Sequence, residues 1–251
     1  MSVRRDKTPW IIVAILSGVI VCMLIGIAGA LASWWWNQNQ TKVRGTLTPA
    51  RVASPASPTP SSLTLLPVPP IAQQFDRWQL WLQSGARVAG SNLAQIVGDA
   101  KYKQVAQFKR ANGQGDSGAA GLILPIDLNV AAYPHLYVRL IGKIDQEKGG
   151  NIAGTSLKAQ PEGAVQIRIQ YQTANAQARE WYHGFYTSAI LGADEEHFTQ
   201  VLDGEWFNYF SPDLKALPEP PQSIKEIRVY GFGWEFQSQV AEMSLLGSTT
   251  R

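Results

Sequence analysis

The sequence predicts an all-β protein. It reads as a jelly-roll β-sandwich ectodomain, preceded by a single N-terminal transmembrane helix and a Pro/Ser/Thr-rich disordered linker. Three observations carry this. Residues from Trp10 to Ala32 are apolar and uncharged. Prolines crowd the stretch from Asn37 to Pro70. After that come about nine or ten short runs of alternating polarity, broken by turn signals, with no long amphipathic helix.

The apolar run extends roughly 34 Å at ~1.5 Å per residue, enough to cross a ~30 Å hydrocarbon core. Arg4, Arg5 and Lys7 precede it against a lone Asp6. Positive flanks stay in the cytoplasm, which puts the N-terminus inside and the rest of the chain outside. Pro9 suits a first helical turn, where its missing N–H costs nothing. Trp34, Trp35 and Trp36 follow directly and mark the outer membrane interface. The rival reading is a cleaved signal peptide, since Ala30-Leu31-Ala32 before Ser33 fits a small-residue cleavage pattern. The apolar run is much longer than the ~7–15 residues of a signal core, which favours a retained anchor. Either way the bulk of the chain is exported. Cys22 is the only cysteine, so no disulfide framework staples the exported part.

The linker contains Pro49, Pro55, Pro58, Pro60, Pro67, Pro69 and Pro70 among many Ser and Thr. At ~3.1 Å per residue in polyproline II, it reaches about 100 Å. The expected divisions are a basic cytoplasmic tail (1–8), the transmembrane helix (9–36), the linker (37–70) and the extracytoplasmic module (71–251). From Asn37 onward, 19 Lys and Arg face 18 Asp and Glu. The net charge of +3 therefore sits mostly in the tail and is no sign of nucleic-acid binding. All eight Tyr, all eight Phe and five of nine Trp follow residue 70, an aromatic load fit for one sizeable core.

Within the module, Ile71 to Ser84 is ambiguous. Phe75, Trp78 and Leu82 fall at helical spacing, whereas Trp78, Leu80 and Leu82 alternate as in a strand. Gly85 and Gly90 bracket a short strand, Ala86 to Ala89, and Lys103 to Arg110 reads as the next. Gly113-x-Gly115-x-x-Gly118 has the spacing of a dinucleotide fingerprint, but strand-like residues 119–124 follow where a helix is required, so a loop or hairpin is expected. That strand is expected to end at Pro125. Leu136 to Ile144 and Ala164 to Thr173 alternate cleanly. In Arg179 to Ser188, Trp181, His183 and Phe185 share one face, and Tyr182 and Tyr186 the other. His197 to Leu202 and Glu205 to Phe210 are short, residues 211–214 suit one helical turn, and Ile224 to Tyr230 and Glu235 to Leu246 close the module. The long loops favour Greek-key or jelly-roll winding over a meander.

Five stretches together resemble a known type of module: residues 127–130 (DLNV), 136–140 (LYVRL), 181–186 (WYHGFY), 204–206 (GEW) and 224–236 (IKEIRVYGFGWEF). They look like the galactose-binding-like, carbohydrate-module-like jelly-roll domains of membrane-anchored bacterial envelope proteins of Chloroflexi type. The resemblance spans roughly Ala86 to Leu246. It implies a sandwich that binds sugars, binds other proteins or supports a neighbour. It also brings a structural calcium ion in loops near one edge, but no residue set here matches that site and none is assigned. The loop from Asp145 to Gly163 departs from the pattern at Gln160-Pro161-Glu162.

No HExxH, CxxC, GxSxG or P-loop occurs, and no carboxylate pair stands out, so catalytic residues, metal ligands and cofactors are assigned to none. Asp194-Glu195-Glu196-His197 is the densest polar cluster. Adjacent side chains on a strand diverge, so a solvated loop is the expected reading over a cation site. Trp181, Phe185, Trp206 and Trp234 are read as core. By alternation, Tyr137, Arg139, Arg168, Gln170, Tyr182, Tyr186, Arg228 and Tyr230 lie on the non-core faces of their strands. If those strands share a sheet, they form an aromatic–arginine surface suited to a glycan or cell-envelope polymer. Alternatively these side chains pack on one another, and the module is a protein-interaction or structural scaffold with no sugar ligand.

Overall fold

A computed structural model describes residues 63–83, 91–111, 113, 116–154, 161–188, 190 and 192–248. The expected anchor, the interface tryptophans Trp34, Trp35 and Trp36, most of the linker and the strand expected at 86–89 lie outside these residues. The described chain is β-rich, and its strands are β1 (Leu63–Leu65), β2 (Gln79–Gln83), β3 (Ser91–Asp99), β4 (Lys103–Ala111), β5 (Gly118–Asn129), β6 (His135–Lys148), β7 (Gly163–Gln172), β8 (Ala178–Tyr186), β9 (Phe198–Gln200), β10 (Phe207–Phe210), β11 (Ser223–Gly233) and β12 (Glu235–Ser248).

Among the described residues two six-stranded sheets form a sandwich. The first has the order β10-β6-β12-β4-β3, with β1 added to β12; the second runs β2-β5-β11-β7-β8-β9. Among the described strands only β8 and β9 pair in parallel. From β4 onward the chain crosses repeatedly between sheets, the interleaving expected of Greek-key or jelly-roll winding and incompatible with a meander. The core lies between the sheets. Val138 and Leu140 from β6 and Val240 and Leu245 from β12 meet Leu122, Ile167, Ile169, Ile227 and Val229.

The linker is shorter than its composition suggests. Leu63, Thr64 and Leu65 pair with β12, and Leu66, Val68 and Ile71 are buried in the core. Pro67, Pro69 and Pro70 punctuate an ordered edge, and the Pro69 carbonyl accepts from the Trp78 indole at 3.1 Å. The ambiguous segment splits into a 3-10 turn at Phe75–Arg77 and strand β2. β5 runs through Pro125 because its pairing with β11 is irregular there, with an extra β5 residue between Pro125 and Leu128 opposite Glu226 and Ile224, and the missing N–H is tolerated. β5 also starts at Gly118, so a strand follows the glycine motif and the dinucleotide reading fails. β3 was not expected.

A polar group crosses the sandwich. Glu147 on β6 accepts the Ala164 N–H (3.1 Å) with one oxygen, and the Thr187 N–H (2.8 Å) and hydroxyl (3.3 Å) with the other. Burial raises its pKa above the ordinary carboxylate value, against the pull of these hydrogen bonds. Glu147→Gln offers only one oxygen and turns an NH2 toward a backbone N–H. The expected result is a loss of about 1–3 kcal/mol in urea unfolding of the full chain.

Candidate functional site

The outer face of the second sheet carries three rows of side chains. Pairing aligns Trp81 with Gly121, Tyr230 and Gln166. The next row is Gln79, Ile123, Arg228, Arg168 and Tyr182. The third is Pro125, Glu226, Gln170 and Glu180. The strands present these residues because their alternates, such as Ile167, Ile169, Ile227 and Val229, are fully buried in the core.

Arg168 and Arg228 are direct cross-strand neighbours, an arrangement that repels unless each charge is answered. Each is answered twice. Arg228 pairs with Glu226 and lies over the Trp81 ring at 5.0 Å. Arg168 pairs with Glu180 at 3.4 Å and lies over the Tyr230 ring at 5.9 Å. Trp81 and Tyr230 meet edge to face, with centroids 4.8 Å apart. Tyr230 has no exposed surface and donates its hydroxyl proton to Gln166 Oε1 at 2.8 Å. Gly121 is required beneath it, since a Cβ there would stand 2.2 Å from the Tyr230 Cβ.

Beside this face, at the edge of β8, opens a cleft of about 230 Å³. It is lined by Tyr171, Glu180, Trp181, Tyr182, His197, Leu217, Pro218 and Glu219. Among the described residues β9 covers that edge of β8 only from Gly184 to Tyr186. The far wall is the proline-stiffened loop after the 3-10 turn Leu214–Ala216, and Arg179 ties it to β8 through a hydrogen bond to Glu219 of 2.9 Å. Tyr182 and His197 stack at 4.6 Å, and Asp194 holds His197 Nδ1 at 2.9 Å. The Tyr182 phenol is raised by burial and then by Asp194, with Arg168 opposing and Glu180 and Glu196 adding smaller pushes.

The expected residues thus divide. Arg168, Gln170, Tyr182 and Arg228 share the face at the surface. Tyr230 lies on it but is covered by its neighbours. Tyr186 is buried in a separate cluster with Ile152, Ala153 and Phe198, beneath the loop after β6. Tyr137 and Arg139 belong to the other sheet, where Tyr137 packs on Phe210 at 4.9 Å and Arg139 pairs with Glu242 at 3.4 Å. The one-sheet condition therefore fails for these two, because alternation reports the face of a strand and not the sheet it joins. Of the aromatics read as core, Phe185 is fully buried, while Trp181, Trp206 and Trp234 are partly exposed. Trp81, Glu180 and Glu226 were missed, and His197, singled out only within a polar cluster expected to be a solvated loop, stacks on Tyr182. The strand reading of residues 78–82 held the signal for Trp81, since it places that ring opposite Leu80 and Leu82. Among the described residues no three His, Cys, Asp or Glu are grouped to hold a metal ion.

Behind Tyr182, on the core side of β8, the His183 ring lies between Trp181 (6.3 Å) and Tyr209 (4.5 Å), with Nε2 2.9 Å from Thr199 Oγ1. Burial, helped by His197 and opposed by Asp194, lowers its pKa to about 4. The unfolded chain then binds the extra proton between about pH 6.5 and pH 4, so stability falls as pH falls through that window. Glu147, raised by burial, works in the opposite sense in acid. The expected outcome is that wild type loses roughly 3 kcal/mol more than His183→Phe between pH 7 and pH 4, measured by denaturant melts of both.

No family model matches the chain, and no curated protein matches it. Similar solved structures include several carbohydrate-binding modules and one glycoside hydrolase domain, Endo-D of Streptococcus pneumoniae (12% identity, TM-score 0.33, over 68% of this chain and 22% of that one). One is the family 11 module of the cellulosomal cellulase Lic26A-Cel5E of Clostridium thermocellum: 11% identity and TM-score 0.37, over 70% of this chain and 90% of that one. Another is the family 30 module of cellulase Cel9D-Cel44B of the same organism: 8% and 0.38, over 65% and 88%. A third is TmCBM61 in complex with β-1,4-galactotriose: 15% and 0.35, over 69% and 90%. At these values the likeness assigns no role to any residue of this chain.

Proposed function

We propose that this chain is a membrane-anchored, extracytoplasmic, non-catalytic module that binds an extended glycan or cell-envelope polymer on the outer face of its second sheet. The observation that carries the reading is the face itself. It joins aromatic rings to guanidinium, amide and carboxylate groups in rows, and it opens into a cleft at one end. A sugar offers apolar C–H faces to rings and hydroxyls to such polar groups. Rows running across strands ~4.8 Å apart repeat at about the length of one sugar unit, so successive units meet successive strands. A cleft favours a glycan over the flat patch expected of a protein interface. The basic tail and the uncharged run from Trp10 to Ala32 support a single-pass anchor with the N-terminus in the cytoplasm.

The test is binding of the purified full chain, in detergent, to cellohexaose, xylohexaose, mannohexaose, N-acetylchitohexaose and β-1,4-galactan, with and without calcium. At least one should bind, and Tyr182→Ala and Arg168→Ala should each weaken it about tenfold or more, with folding checked by circular dichroism. Folded protein that binds none of them would overturn the glycan reading in favour of a protein partner.

A further inference from the structure

β2 (Gln79–Gln83) is the end strand of the second sheet, and among the described residues no strand pairs with its outer edge. A bare edge invites another strand, and proteins guard such edges with charge, proline or bulges. β2 carries none of these. It is uncharged and holds neither proline nor glycine, and its register with β5 is unbroken from Gln79 to Gln83. Leu80 and Leu82 line up with Leu122 and Ala120, which lie in the core, yet they remain 58% and 48% exposed. Trp81 points to the other face, where Tyr230 and Arg228 pack on its ring. The Gln83 carbonyl accepts from the Asn92 side chain at 3.0 Å, which ties this end of the strand to the first sheet. The edge is therefore held in place before anything meets it.

The five residues read the same in both directions, Gln-Leu-Trp-Leu-Gln. Two such strands placed antiparallel about Trp81 set Gln79 against Gln83 of the second copy, Leu80 against Leu82, and Trp81 against its own copy. Every opposed pair is then matched in kind, and no like charges face each other. The leucines meet on the core side, where each is bare in the single chain, and the Trp81 rings meet on the outer face. A two-fold contact of this kind uses up the edge on both copies, so the assembly closes at two. An unrelated strand would not require the symmetry. We propose that β2 is the seam of a homodimer, in which two copies pair antiparallel about Trp81 and join their second sheets into one continuous sheet. The pairing does not depend on the glycan reading, although it makes the two outer faces continuous.

A five-residue edge is small against the ~20–30 residues a side of a stable interface, so the dimer is weak in dilute solution and is best read by trapping it. Residues directly opposed in antiparallel strands have Cα atoms ~4.5–5.5 Å apart, within reach of a disulfide. Two copies of the same leucine are diagonal neighbours, ~7–8 Å apart and beyond that reach. The experiment oxidises the full chain in detergent, on a Cys22→Ser background, as Leu80→Cys alone, Leu82→Cys alone, or the two mixed. The mixture should give covalent dimer at least about tenfold faster than either variant by itself. Adding Gln79→Lys/Gln83→Lys to both variants sets like charges opposite one another and should slow the mixture several-fold. Circular dichroism checks that each variant is folded. Equal trapping in all three samples, or trapping that the added charges leave unchanged, would overturn the proposal in favour of random collision. Faster trapping of either variant by itself would overturn it in favour of parallel pairing. Absence of trapping by folded protein would overturn it as well, and would leave the glycan reading untouched.

Discussion

Ala164 is a buried point at which the two sheets are fastened by something other than apolar contact. Near it, β7 and β11 fall out of register between Tyr230 and Phe232. Its N–H and C=O both turn to the opposite sheet, the N–H to Glu147 of β6 (3.1 Å) and the C=O to the hydroxyl of Ser238 of β12 (2.6 Å). Two buried backbone groups are thereby satisfied, which an apolar interface cannot do. Gly231 lies opposite, where a Cβ would meet the Ala164 oxygen at 2.7 Å. Hydrophobic burial drives the sandwich together without choosing a register. This staple fixes how β7 lies over β6 and β12, and so fixes where the outer residues of β7 stand.

That placement propagates outward. Arg168 and Gln170 follow Ala164 at even spacing on β7, and β8 and β11 take their register from the same strand. The Arg168–Arg228 contact is therefore a consequence of register, and the surrounding residues are arranged to relieve it. Glu180 and Glu226 supply opposite charge, and Trp81 and Tyr230 supply ring faces. The two guanidiniums are held between partners on a rigid sheet instead of ranging through solvent.

How much of this was legible in the sequence follows from what alternation can encode. β6, β7, β8, β11 and β12 were readable because apolar and polar residues alternate along them, although in β8 both faces are buried from His183 to Tyr186. β3 was not, since Asn92, Gln95 and Gly98 interrupt its pattern on a sheet edge. The module start was hidden for a related reason. Leu63, Leu65, Leu66 and Val68 lie among prolines and look like linker, yet long-range pairing with β12 and burial of Leu66 and Val68 make them part of the fold. Sheet membership is a long-range property as well. Nothing near Tyr137 distinguishes it from Tyr182, although one packs on Phe210 and the other opens onto a cleft. Half of the expected surface assembled because β7, β8 and β11 are neighbours, which periodicity alone does not state.

The position of the cleft also has a structural logic. A free strand edge is a hazard, because unpaired backbone groups invite another strand. At β8 the edge left uncovered by β9 is guarded by charge. Arg179 and Glu180 project from it, and the loop carrying Glu219 is bonded to Arg179 across the gap. A second strand cannot add there without breaking those pairs. A small ligand can enter between the guards, because the gap is lined by rings and side-chain ends. The wall opposite β8 keeps its place through Pro218 and the Arg179–Glu219 pair without being part of either sheet.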